Sequence, residues 1–103
     1  MEPRPFEIRI DEQGVLCLSG ELDLEQADVL LDFAARHARG QRTLVLDCSG
    51  LTFLDSSGLR SILALASRIP EVVVLRNPRP NVRNVLSVVG IGEAVGVRIA
   101  PEA

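Results

Sequence analysis

The chain contains no lysine, no tryptophan and no tyrosine. Its 11 cations are all arginines, scattered from Arg4 to Arg98, and they face 14 acidic residues for a net charge of −3. Nucleic-acid binders show a basic face, often interleaved with aromatic stacking partners. With three Phe as the entire aromatic complement and no arginine cluster, that class is excluded. No run of about 18 apolar residues exists, so no transmembrane helix is expected. The opening Met-Glu-Pro-Arg-Pro-Phe has no hydrophobic signal segment, which predicts a cytoplasmic protein. The two cysteines, Cys17 and Cys48, lie in apolar stretches and show no ligand spacing to each other or to the single histidine, His37. They read as reduced core thiols, with no disulfide, metal or cofactor implied. P-loop and dinucleotide fingerprints are missing, as is Gly-x-Ser-x-Gly.

What remains is a globular composition. The 103 residues are 47% hydrophobic and 24% charged, which suits one domain spanning 1–103. Phe6 to Ile10 alternates apolar and charged residues, as a half-buried strand does. Asp11-Glu12-Gln13-Gly14 reads as a turn into a second strand at Val15–Leu18, ended by Gly20-Glu21-Leu22-Asp23. Asp23 with Gln26 forms a capping-box pattern, so a helix should start there. Its expected apolar stripe is Leu24, Ala27, Leu30, Leu31, Ala34 and Ala38, with Arg36, His37 and Arg39 in its last turn and Gly40 after it.

Thr43 to Cys48 carries the apolar run Leu44-Val45-Leu46, which predicts a central strand covered on both faces. A loop should follow, then a helix over Ser57–Arg68 burying Leu59, Ile62, Leu63 and Ala66, stopped by Pro70. Val72–Leu75 is a further strand and Asn77-Pro78-Arg79-Pro80 a rigid connector. A third helix is expected over Asn81–Val89, with Val82, Val85, Leu86 and Val89 inward and Gly90 closing it, before a last strand at Val95–Ile99. The order β-β-α-β-α-β-α-β implies an α/β fold: an N-terminal hairpin joined to parallel strands in one mixed sheet with three helices.

One stretch stands apart, Leu51-Thr52-Phe53-Leu54-Asp55-Ser56-Ser57-Gly58-Leu59. It opens a helix after a buried strand, where α/β proteins usually place their function. Free backbone N–H groups at a helix start can hold an oxyanion or phosphate. Asp55 or Ser56 could equally be a simple cap, with Gly58 only a point of close approach. One cap suffices, yet three polar residues are lined up, which favours a functional site.

Asp55-Ser56-Ser57-Gly58-Leu59, following Asp47-Cys48-Ser49 and Phe53-Leu54, resembles the signature of the STAS family, specifically its anti-sigma factor antagonists. Gly20-Glu21-Leu22-Asp23 is similar to the family's first loop, and Pro80, Val82, Leu86 and Gly90-Ile91 to its last helix and exit. The resemblance runs from Phe6 to Ile99. It implies a STAS-like fold and a binding protein, not an enzyme. It also implies that Ser56 is phosphorylated by an anti-sigma factor that is itself a serine kinase and binds the ATP. Ser57 would cap the helix, and Asp23 and Asp55 would flank the acceptor. The implied partner-binding residues are Asp23, Asp55, Ser56, Ser57, Gly58, Leu59 and Arg60. A phosphatase would reset the phosphorylated form.

Arg60 stands where the family often has Gly or another small residue, and the stretch from Leu59 to Val72 is about a turn shorter than in well-known members. Two rivals stand beside this reading. One is a STAS accessory subunit or scaffold, for a lipid transporter or a signalling assembly, without a phospho-switch. The other is a serine hydrolase using Ser56, which would need His37 nearby.

Overall fold

Asp11 builds the first turn. Its Oδ1 accepts the N–H of Gln13 at 2.8 Å and of Val15 at 2.9 Å, and Gly14 takes φ +82°. The turn folds β1 (Glu7–Ile10) antiparallel onto β2 (Leu16–Leu22), pairing Ile8 with Leu18 and Ile10 with Leu16. The computed structural model describes residues 5–37, 40–68, 72–90 and 96–100. After the hairpin come α1 (Leu24–His37), β3 (Thr43–Leu54), α2 (Ser56–Arg68), β4 (Val72–Arg76), α3 (Pro80–Val88) and β5 (Val97–Ala100). The sheet runs β1-β2-β3-β4-β5, and every pairing after the first is parallel. This is the expected order and mixed topology.

Strands laid down in chain order, each joined by a right-handed crossover, place all three connecting helices on the same face. The expectation of a strand covered on both sides is therefore corrected. Leu44 and Leu46 are 1% and 0% exposed, whereas Val45 between them is only half-buried. The covered face and the helices share one core that includes Leu18, Leu22, Leu30, Leu51, Ile62, Leu75 and Leu86. On the uncovered face, Arg9, Cys17, Ser19 and Asp47 line a shallow hollow of about 150 Å³. Burial there pushes the Asp47 carboxyl up, but hydrogen bonds from Ser49 and the Arg76 guanidinium 3.5 Å away outweigh it and hold the group below 3.8.

Two strands run further than their sequence suggests. β2 continues through Gly20-Glu21-Leu22, and β3 continues through residues 49–54 instead of yielding to a loop. The Gly and Ser residues that read as punctuation are register irregularities, between Cys17 and Ser19 and between Gly20 and Glu21. Gly20 sits there at φ +86°, and a Cβ on it would lie 2.8 Å from the Pro5 carbonyl carbon, so no other residue fits.

Three stripe residues are exposed. Leu24 is 72% exposed, Leu63 43% and Val89 55%. Each helical residue turns about 100°. Leu24 therefore falls well round from the buried Leu30–Ala34 axis, and Leu63 stands one step past Ile62. Val89 is the residue after α3. In exchange, Phe33 is partly buried against the core and Leu65 and Ser61 are buried, the Ser61 hydroxyl donating to the Gly58 carbonyl at 2.6 Å. Ala38, Arg39, Pro70, Ile91 and Val95 lie outside the described residues.

Cys48 is 1% exposed, and burial first, then the neighbouring Asp47 charge, push its thiol up to about 12. The neutral thiol is thus favoured by folding. Its contribution is complete below the unfolded value of 9.0 and is lost as pH rises from there through about 12. Cys48 should resist a thiol reagent at pH 8 in the native protein and react at once in denaturant, as a timed alkylation read by mass spectrometry will show.

Candidate functional site

The candidate site is built where β2 and β3 end side by side. Leu22 pairs with Leu54, and the Asp55 N–H reaches the Leu22 carbonyl at 3.5 Å. One residue past each strand stands an aspartate, and a helix begins behind it. Asp23 Oδ1 accepts the Gln26 N–H at 3.2 Å and so caps α1. Asp55 Oδ1 accepts the N–H groups of Ser57 at 2.9 Å and Gly58 at 3.0 Å and so caps α2. Of the two candidate caps read from the residues, Asp55 takes the role, and the Ser57 cap implied by the resemblance is corrected: Ser57 supplies a donor to that cap. Asp55→Ala should lower stability by about 0.5–2 kcal/mol, measurable by urea denaturation, while Asp55→Asn should lose little.

With Asp55 as cap, Ser56 is left over. It is the first residue of α2 and is exposed, and among the described residues its hydroxyl makes no hydrogen bond. Ser57 is half-buried, and Arg60, one turn beyond Ser56, is exposed. Gly58 and Leu59 face inward, Leu59 being 6% exposed. They support the surface from beneath. A Cβ on Gly58 would lie 2.7 Å from the Leu22 carbonyl oxygen and 2.6 Å from Leu54 Cδ1, so glycine lets the first turn of α2 rest directly on the end of β2.

The end of β3 is braced from its far side. β4 pairs with β3 only from Thr43 to Asp47, leaving the following carbonyls without a strand partner on that edge. Arg79 Nε donates to the Ser49 carbonyl and Asn81 Nδ2 to the Thr52 carbonyl, both at 2.8 Å, while Thr52 Oγ1 donates to the Gly20 carbonyl at 3.1 Å. These braces satisfy groups that would otherwise rely on water.

Sequence reasoning missed the braces, because Arg79 and Asn81 meet β3 across about 30 residues of chain. It also missed the apolar rim. Leu24 and Phe53 are 72% and 44% exposed beside the two aspartates, and Phe53 gives a signal in its own right as a large aromatic opposite the charged Glu21. His37 lies at the other end of the 14-residue α1, roughly 20 Å along the helix from its start. Its ring packs at a tilt against Phe33, with ring centroids 4.2 Å apart and 36° between the planes. A Ser56–His37 hydrolase is not assembled.

A family model described as "Mlab, STAS domain" matches residues 7–99. The Bordetella bronchiseptica protein BtrV, named as an anti-sigma factor antagonist, is 34% identical over 86 residues, covering 80% of this chain and 74% of BtrV. The chain belongs to the STAS family of anti-sigma factor antagonists. Among solved structures it is similar to the anti-sigma factor antagonist SpoIIAA in its unphosphorylated form, with TM-score 0.70 and 24% identity over 95% of this chain and 90% of that one, a likeness of fold. An anti-sigma factor antagonist from Mycobacterium paratuberculosis is 27% identical with TM-score 0.69, over 95% of this chain and 86% of that one. These relatives are named as anti-sigma factor antagonists, a family that is in general non-enzymatic. No described helix is long and apolar enough to cross a membrane.

Proposed function

We propose that this STAS domain is a phosphorylation-switched anti-sigma factor antagonist. Unphosphorylated, it binds an anti-sigma factor that is also a serine kinase, and a sigma factor is released. Phosphorylation of Ser56 by that kinase ends the binding, and a phosphatase restores it. Asp23, Asp55, Ser56, Ser57 and Arg60 form the partner-facing surface, held from below by Gly58 and Leu59. Leu24 and Phe53 add apolar area that a partner can bury.

One observation carries the reading: Asp55 caps α2, so the exposed Ser56 hydroxyl has no structural task and is free for a kinase. The charge balance explains how the switch works. A phosphate on Ser56 adds about −1.5 to −2 charge. The helix start favours an exposed anion by about 0.3–1 kcal/mol. A carboxylate about 4 Å away in water opposes it by about 1 kcal/mol per unit charge. The balance within the domain is a cost of only about 0.5–2 kcal/mol, too little to unfold it. Against a partner the phosphate would have to be desolvated beside two carboxylates, at a cost of several kcal/mol.

The test is mass spectrometry after incubation with ATP and the cognate serine kinase. A single phosphate on Ser56, absent from Ser56→Ala, is the expected result. Label on Ser57, or none, would sink the proposal.

A further inference from the structure

The helix that carries Ser56 also carries an unpaired cation. Arg60 is exposed, and among the described residues its guanidinium makes no hydrogen bond or ion pair. Ser56 and Arg60 are four residues apart in the continuous helix α2. That spacing brings their Cβ atoms to about 5–6 Å on one face. Burial fixes which face it is: Gly58, Leu59, Ser61, Ile62 and Leu65 are turned inward, leaving Ser56, Arg60 and Leu63 together outside.

We infer that Arg60 is the built-in counter-ion of a phosphate on Ser56. The inference rests on the reading that Ser56 is the acceptor. An anion at the helix start with a cation one turn on is the favourable orientation for such a pair. A guanidinium offers two parallel N–H donors to phosphate oxygens. No acidic residue in the first turn of α2 competes for it. The carboxylates at this end of the sheet are Asp55, next to Ser56 in sequence and already held by two N–H groups, and Asp23 and Glu25 where α1 starts from the neighbouring strand end. They disfavour the dianion, and Arg60 offsets them. The phosphorylated domain therefore keeps its fold and carries its phosphate folded back against its own helix.

The test installs phosphoserine at position 56 by genetic incorporation, so that no kinase is involved. The second ionisation of the phosphate is followed by ³¹P NMR in the parent, Arg60→Gln, Arg60→Lys and Arg68→Gln proteins. The parent should ionise about 0.5 pH unit lower than Arg60→Gln, as expected for a charge-assisted pair on a helix surface. Arg60→Lys should recover part of the shift, and Arg68→Gln, two turns further along, should match the parent. Equal values in parent and Arg60→Gln, within about 0.1 unit, would overturn the inference, as would an equal change in Arg68→Gln. Kinase labelling of the unmodified protein is scored separately. Its failure removes Ser56 as the natural acceptor but leaves the measured pairing standing.

Discussion

Ser56→Asp is expected to fold and melt like the parent and to bind the anti-sigma factor kinase at least about 100-fold more weakly. The two halves of this expectation come from different environments. Within the free domain, the new carboxylate sits at the first position of α2, where the helix dipole favours it by about 0.3–1 kcal/mol. Asp55 beside it repels it by a similar amount across water. The net effect on stability is close to zero, and a thermal melt should move by no more than a few degrees. In the complex, the same carboxylate must lose its water next to Asp55 and Asp23, at a cost of about 3 kcal/mol or more. That is a factor of about 100 in affinity. Titration calorimetry with the purified kinase measures it, alongside Ser56→Ala, which should bind like the parent. If Ser56→Asp binds as tightly as the parent, charge at this position is not what ends the interaction.

The second large effect is expected from Gly58→Ala. This glycine is inside a helix, where alanine would normally be favoured by about 1 kcal/mol. Here the added methyl would stand 2.7 Å from a backbone oxygen, that of Leu22, which cannot rotate away. Leu54 Cδ1 at 2.6 Å can turn, but only into a filled core. Overpacking of this kind costs about 1–3 kcal/mol, and the first turn of α2 must lift from the end of β2 to relieve it. A fall in melting temperature of roughly 5–15 °C is expected for a domain of this size. Partner affinity should fall with it, because Ser56 rides on the displaced turn. A variant that melts and binds like the parent would show that the helix–strand contact does not set the position of Ser56.

Much of this was legible beforehand. The order of elements follows from hydrophobic period and from punctuation by Gly, Pro and Asp, and parallel pairing follows from helices alternating with strands. The caps at Asp23 and the pair of candidates at Asp55 and Ser56 were readable because capping is local. Strand ends were not readable at Gly20 and Ser49-Gly50, because a bulge and a loop use the same residues. Leu24 and Leu63 look apolar enough for the core, and only the angle at which each helix settles on the sheet leaves them outside.

The sequence by itself determined the fold class, the place of the site and the chemistry available there: short-range patterns along the chain specify both periodicity and caps. Only the folded structure decided that Asp55 and not Ser56 caps α2, and so that Ser56 remains free. It also decided that one face of the sheet stays open and that Arg79 and Asn81 brace the end of β3. The braces depend on contacts between residues about 30 positions apart, which no local pattern encodes. The cap is a local contact, but neighbouring residues offered it equally and only the path of the backbone from β3 into α2 chose between them.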